Sequence, residues 1–418
     1  MSILSTPAPF LKRIAKAILP ASCYGLLRRA YYNRYFSCDQ ISKMRESKYN
    51  GYDLPFGVNL FVYYANNSAG SVARLLIDAL EAGNIPHRII DLNCPEKFNA
   101  DTGERLYKIN LIACHAASQI SERMKLFAID LSRHYNVGYW LWELPELPDE
   151  YCSGLNIFQE IWSASGFCTA ALEKKIVIPS LTVPLYAAHD RTVFANSRNY
   201  FGIDEKPFLF MFAYDCDSFI SRKNPQAVVE AFMKAFSPED EQVGLILKLI
   251  ASERNKEHLC KLQQLLSPYK NIYYIDKFLT DKEMRTLIKA SDAVVSLHRS
   301  EGFGLLPLEA MSLGVPVIAT AWSGNMEYMT HMNAALVDYK RVPVGGRYVG
   351  SAPDDGIMWA EADTDCAAMR MRRLVEDEDW RKSLIINGQY TTDKLYTQDA
   401  VGKIMRDRLD LIRLNAVR

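Results

Sequence analysis

From Gly57 onward, short apolar runs alternate with longer stretches whose apolar residues recur at helical spacing. That alternation predicts repeated βα units on a parallel sheet, because strands buried on both faces read as continuous hydrophobic runs. GVNLFVYY, Gly57 to Tyr64, predicts a first strand; Val72, Leu75, Leu76, Ala79 and Leu80 mark a helix over Ala69 to Ala82, which Gly83 stops. Further strands are expected at 88–92, 110–114, 137–142 and 175–179, and 184–200 reads as a crossing into a second block. There, strands are expected at 208–214, 243–250, 272–275, 293–297, 315–319 and 335–337, with a capping box of Thr280 and Glu283 opening the helix before Ser291. The result is an α/β protein of two Rossmann-like, doubly wound parallel-sheet domains facing across a cleft. Ligands in such sheets bind beyond the carboxyl ends of the strands. The expected division is a helical extension at 1–56, a first domain at 57–200, a second at 201–395 and a helix at 396–418.

A chain of 418 residues suits two cores, and 49% hydrophobic with 23% charged residues excludes disordered, collagen-like and coiled-coil classes. Lys plus Arg (49) equals Asp plus Glu (49), so no overall field draws the protein to nucleic acid. The extension departs from this balance: Lys12, Arg13, Lys16, Arg28, Arg29, Arg34, Lys43, Arg45 and Lys48 face only Asp39, Glu46 and Asp53. Phe10, Ile14, Ala17 and Ile18 share one helical face there. Both an interfacial helix on anionic lipid and an arm packed on a domain fit this pattern. Ala17 to Leu27, an uncharged stretch in that region, is too short to span a bilayer. Nine cysteines, odd in number and without C-x-x-C, imply a reducing compartment with neither disulfide framework nor zinc site. The expected location is cytoplasmic, with contact at the inner membrane's cytoplasmic face if the extension binds lipid.

The stretch most informative about chemistry is LHRSEGFGLLPLEAM, Leu297 to Met311, followed by SLGVPVIATAWSGN. A strand end, glycines at 302 and 304, and Pro307 in the first helical turn predict a helix whose open backbone amides point into the cleft, a natural seat for phosphate. Glu301 precedes the glycines and Glu309 lies inside the helix, about 12 Å further along a helical path. That spacing suits two grips on an elongated ligand better than a pair sharing a proton. Lys248, in the apolar run LILKLI, is expensive to bury and is expected to meet an anion. Asp215-Cys216-Asp217 has the letters of a metal motif but reads as loop chemistry, so no metal ligand is assigned. In the first domain, Asn66 to Ser71 contains only one glycine, which argues against dinucleotide binding.

E-G-F-G-L-x-P-L-E-A-M with S-L-G-V-P-V-I-A resembles the E-x7-E signature of retaining glycosyltransferases of family 4, which have the GT-B fold. FAYDCDSFISRKNPQAVVEAF from Phe212 and LILKLI resemble that family's first and second C-terminal strands. LHRSEGFG, WELPELPDEY from Trp142 and EIWSASGFCTAAL from Glu160 resemble bacterial polysaccharide mannosyltransferases. The resemblance implies that Glu301 contacts the transferred sugar and Glu309 the ribose. Backbone groups of Gly302, Phe303, Gly304 and Leu305 would receive diphosphate and sugar, while Lys248, with Arg222 or Lys223, would neutralise the diphosphate. His115, at the end of an apolar strand, would lie beside the reacting sugar or serve structure. Trp140, Trp142 and Glu143 fit an acceptor floor or, for the tryptophans, core. The implied reaction is retaining transfer of a hexose, mannose from GDP-mannose, to a saccharide or lipid-linked saccharide in cell-surface polysaccharide synthesis, without a cofactor or strictly required metal. By family habit the C-terminal helix would brace the first domain. A non-catalytic nucleotide-binding scaffold, or an epimerase or phosphorylase of the same architecture, are the competing readings.

Overall fold

The structure is a computed structural model. It describes residues 54–416 except 65–67, 96–105, 116–123, 125–126, 128, 149–151, 153–156, 189, 217, 251–254 and 349–355, and the side chains of 68, 114, 115, 415 and 416 are likewise outside it. Nearly all of the basic extension and the polar turn at Asn66 and Asn67 therefore lie outside the described residues.

The first lobe is a six-stranded parallel sheet in the order β2-β1-β3-β4-β5-β6. Its strands are β1 (Val58–Val62), β2 (His87–Asp91), β3 (Ile109–His115), β4 (Tyr135–Leu141), β5 (Glu160–Ser163) and β6 (Ser180–Thr182), with α1 (Ser68–Ala82) and α2 (Gly166–Leu172) among its helices. Every residue of β1 is buried, as a central parallel strand requires. The helix α3 (Ser197–Tyr200) lies in the connection to the second lobe.

The second sheet is also parallel, in the order β12-β11-β10-β7-β8-β9. It comprises β7 (Phe208–Asp215), β8 (Val243–Ile250), β9 (Ile272–Asp276), β10 (Ala293–Ser296), β11 (Val317–Thr320) and β12 (Ala335–Val337). Between them run α4 (Ile220–Lys223), α5 (Pro225–Ala235), α6 (Lys256–Leu266), α7 (Asp281–Ala290) and α8 (Leu305–Ser312). The capping box of α7 forms as expected, Thr280 Oγ1 accepting from Glu283 N–H and Glu283 Oε2 from Thr280 N–H at 2.8 Å. Strand order reverses between β7 and β10, which sets a crevice at their carboxyl ends.

Three elements depart from the sequence expectation. The strand expected at 175–179 is a turn and loop, with Val177 99% exposed. Pro179 offers no N–H and contributes only its carbonyl, to Ile161 N–H at 2.9 Å, so pairing begins at Ser180. Strand β5 was hidden by Glu160, a charge that is fully buried because Arg408 meets it. An antiparallel hairpin of β13 (Tyr339–Pro343) and β14 (Met358–Ala362) carries exposed polar residues on its first strand and shows no clear apolar period.

Helices α9 (Thr364–Glu376), α10 (Glu378–Lys394) and α11 (Gln398–Ala416) follow. The last runs back along α1 at backbone distance: a Cβ on Gly402 would lie 2.6 Å from the Ala79 carbonyl. Gln398 Nε2 donates to the Asp78 carbonyl at 2.8 Å, and Arg406 donates to that of Gly83 at 2.7 Å. Among the described residues no helix is long and apolar enough to cross a membrane.

Candidate functional site

The reversal of strand order brings two loops together, Cys216–Phe219 after β7 and Leu297–Gly304 after β10. Gly304 adopts φ +84°, a left-handed turn that lets the chain enter α8 directly. Tyr328 Oη donates to its carbonyl. The N–H groups of Phe303, Gly304, Leu305 and Leu306 have no hydrogen-bond partner among the described residues, and Pro307 has none to offer. Four free ends of backbone dipole at a helix start form a seat for an anion.

Beside this seat stands Glu301. Lys223 Nζ donates to its Oε1 at 2.5 Å, and Arg222 Nη1 lies 3.0 Å from its Oε2. Phe219, at φ +55°, makes that convergence possible, since its carbonyl accepts the N–H groups of Arg222 and Lys223 at 2.8 and 3.3 Å and turns both side chains inward. Arg222 is almost wholly buried. It donates to the Ser300 carbonyl and Ser218 Oγ, both at 3.0 Å, while its Nε is buried without a partner. Burial alone would raise the pKa of Glu301, but Lys223 and Arg222 outweigh it and hold the carboxyl well below the ordinary range. Burial pushes Lys223 down, offset in part by Glu301. Burial also opposes the charge of Arg222, but Glu301 and Glu143 hold it firmly cationic.

Support for Glu301 comes from residues whose roles the sequence did not disclose. Ser323 Oγ accepts the Glu301 N–H at 2.8 Å, from a residue with φ +77°. Gly324 has no room for a side chain: a Cβ would lie 2.1 Å from the Gly302 carbonyl oxygen. His298 is buried between Ser296 and Asn325, 3.0 and 3.1 Å from their side-chain oxygens, and burial lowers its pKa, which favours the neutral ring. Ser323, Gly324 and Asn325 lie within the run SLGVPVIATAWSGN and His298 within LHRSEGFGLLPLEAM, yet only the fold shows that they converge.

The first lobe grips the same loop. Ser165 Oγ donates to the Gly302 carbonyl at 2.6 Å and Cys168 Sγ at 3.1 Å, so what Gly302 presents to its neighbours is an occupied carbonyl. Ser300 Oγ donates to the Glu143 carbonyl, and Glu327 Oε2 accepts the Gly166 N–H at 2.7 Å. Glu143 reaches towards Arg222, 3.9 Å away, and accepts from Tyr348 Oη at 2.7 Å.

Glu309 sits one turn inside α8. Burial and the Asp281 charge raise its pKa to about 7, against Arg285 and Arg74. No donor among the described residues reaches its carboxylate, so it is open to a ligand hydroxyl. Lys248 stands on β8, next to β7 in the sheet. It pairs with Ala213 and Ile275 in register, on the side of β7 away from β10, and the charges acting on it are Asp215 and Asp276. Burial lowers its pKa. The structure thus brings Arg222 and Lys223, but not Lys248, to Glu301. His115 ends β3, and its side chain is outside the described residues. Trp140 and Trp142 are core residues, the former edge-on to Phe158 at 5.7 Å. Asp217 of the Asp-Cys-Asp triplet is outside the described residues, and among those described no group of three His, Cys, Asp or Glu could hold a metal.

Residues 194–390 match the family model described as glycosyl transferases group 1. N-acetyl-alpha-D-glucosaminyl L-malate synthase of Bacillus anthracis is 26% identical over 186 residues, 44% of this chain and 40% of that protein. The chain spans less than half the length of the curated relatives it matches. Among solved structures, sucrose-phosphate synthase from Thermosynechococcus elongatus aligns with a TM-score of 0.64 at 15% identity, covering 87% of this chain and all of that one. HepE of Anabaena, solved with UDP and glucose, aligns with a TM-score of 0.60 at 15% identity, covering 85% of this chain and 99% of the other. At these identities the likeness establishes the fold, which is the two-domain GT-B architecture.

Proposed function

We propose that the protein transfers a hexose from a nucleoside diphosphate sugar to a saccharide or lipid-linked saccharide, with retention of anomeric configuration. The observation that carries this reading is the convergence of Arg222 and Lys223 on Glu301, at 3.0 and 2.5 Å, beside the unpartnered amides of residues 303–306. Cleaving a sugar–phosphate bond leaves negative charge on the departing diphosphate, and fixed cations and amide dipoles lower the barrier where that charge grows. Arg222 and Lys223 stabilise that charge, and the Phe303, Gly304, Leu305 and Leu306 amides bind the phosphate oxygens.

Ionised Glu301 has a second task. Sharing its cations with the diphosphate, it orients the sugar's hydroxyls by accepting their hydrogen bonds. Glu309, whose pKa near 7 leaves it partly ionised at neutral pH, accepts from the ribose. In this reading the leaving phosphate oxygen takes the acceptor's proton, so no protein nucleophile is required. The group 1 match and two nucleotide-bound neighbours, HepE with UDP and with UDP-glucose, support a nucleotide-sugar donor. Mannose, GDP and cell-surface polysaccharide synthesis enter the proposal through the motif resemblance, the cytoplasmic location through the cysteine pattern, and membrane contact through the basic amphipathic extension. The test is calorimetric titration with UDP, GDP and ADP, followed by donor hydrolysis and transfer with the matching sugars. Micromolar binding of one nucleotide, and turnover abolished in Glu301→Gln, are expected. Binding with no turnover on any donor would favour a non-catalytic scaffold.

A further inference from the structure

Resting on the transfer reading above, we propose that Phe219 and Tyr348, with the Glu143 carboxylate beside them, form the subsite that holds the acceptor's pyranose ring. Phe219 is the observation to explain. Its φ of +55° places a bulky residue where the backbone is strained by about 1–3 kcal/mol. The turn itself is needed, because it directs Arg222 and Lys223 to Glu301, yet Gly or Asn would make it with less strain. The phenyl ring adds nothing to that turn and is 41% exposed.

The ring is nonetheless held firmly. Its centroid lies 4.6 Å from that of Tyr348, tilted by 48°, and Tyr348 packs edge-on against Trp142 at 6.0 Å. Tyr348 is buried, so Phe219 is the open end of an aromatic stack rooted in the first lobe's core. Ser221 Oγ donates to the Arg347 carbonyl at 2.8 Å and ties the two loops together. Next to the stack, Glu143 Oε2 accepts from Tyr348 Oη, while Oε1 stands 3.9 Å from Arg222 Nη2, beyond hydrogen-bonding range. That second oxygen has capacity for a hydroxyl.

An aromatic face beside a carboxylate is what a pyranose needs: its C–H face covers the ring and its hydroxyls donate to the oxygen. Position selects the acceptor over the donor: the unpartnered amides belong to α8 of the second lobe, whereas Glu143 follows β4 of the first lobe and Tyr348 packs into that lobe's core. Trp140 and Trp142 are too deeply buried for this task.

Saturation-transfer NMR tests the assignment, using methyl α-glucopyranoside, methyl α-mannopyranoside and the methyl α-glycoside of N-acetylglucosamine, with and without the nucleotide that wild-type protein binds. Wild type should bind at least one pyranoside. Phe219→Leu, and Phe219→Asn, which suits the left-handed backbone, should weaken that binding by about fivefold or more, Phe219→Tyr should restore it, and nucleotide affinity should stay within about twofold. Wild type that binds a nucleotide but no pyranoside overturns the subsite, as does undiminished pyranoside binding in both ring-deleting variants. A parallel fall in nucleotide affinity also overturns it, since the ring would then serve only the turn. Absence of nucleotide binding in wild type is a different failure, that of the transfer reading itself.

Discussion

Glu160 and Glu301 are both packed against arginine, and their surroundings could hardly differ more. Glu160 Oε1 accepts from Arg408 Nε and Trp162 Nε1, each at 2.7 Å, and Oε2 accepts from Arg408 Nη2 at 2.6 Å and Tyr135 Oη at 3.2 Å. Both oxygens are saturated and the pair is sealed. Glu301 shares two cations, one of which retains a buried Nε with no partner, and the adjoining amides are free. A completed donor inventory marks a structural pair, whereas a surplus of donors marks a place made for an absent anion.

The comparison is broken most severely at Glu160. Glu160→Gln leaves Arg408 as a buried charge facing a neutral amide, with an expected cost of about 3–5 kcal/mol in chemical denaturation, while protein that still folds keeps its nucleotide affinity. Glu301→Gln should act on activity first: turnover falls by about 10²–10³-fold, measured as donor hydrolysis, together with a lower denaturation midpoint, because Arg222 is also left buried beside a neutral amide. Its depressed pKa means that Glu301 contributes stability above the ordinary carboxylate range and loses that contribution only in acid below it.

A smaller effect is read from Glu309. Its folded-state pKa is about 7 against an ordinary 4.5, so ionisation is disfavoured in the fold and stability declines as pH rises between those values. Ligand-free Glu309→Gln should remove this decline, gaining at most about 3 kcal/mol at pH 8 relative to wild type and little at pH 4, in parallel melts. The same variant should bind nucleotide more weakly. Ser165→Ala is expected to cost about 1 kcal/mol, through the lost cap of α2 and the lost bond to Gly302, and to raise the hydrolysis barrier by a comparable amount.

Both sheets were largely legible as apolar runs, because buried parallel strands carry few polar residues. Strand β5 was not, since Glu160 reads as a surface charge until Arg408, 248 positions away, is placed beside it. The site divided in the same manner. Glu301, the glycines and the open helix start follow from one contiguous run, and Arg222 and Lys223 from a loop doublet. Lys248 was legible as an unusual buried cation, but its neighbours across the sheet were not, and they place it with Asp215 and Asp276. Ser165 and Glu143 act through contacts 137 and 157 positions away in sequence, which no local pattern encodes.

Because α11 lies on α1 at backbone distance and seals Glu160, the lobe that begins near residue 57 is completed by residues 398–416. During synthesis the ribosome must add more than two hundred residues after β6 before that groove is filled, roughly 10–50 s of elongation. For that interval the nascent first lobe carries an uncompensated acid in its interior and a bare strip of helix outside, which makes it the natural client of a chaperone.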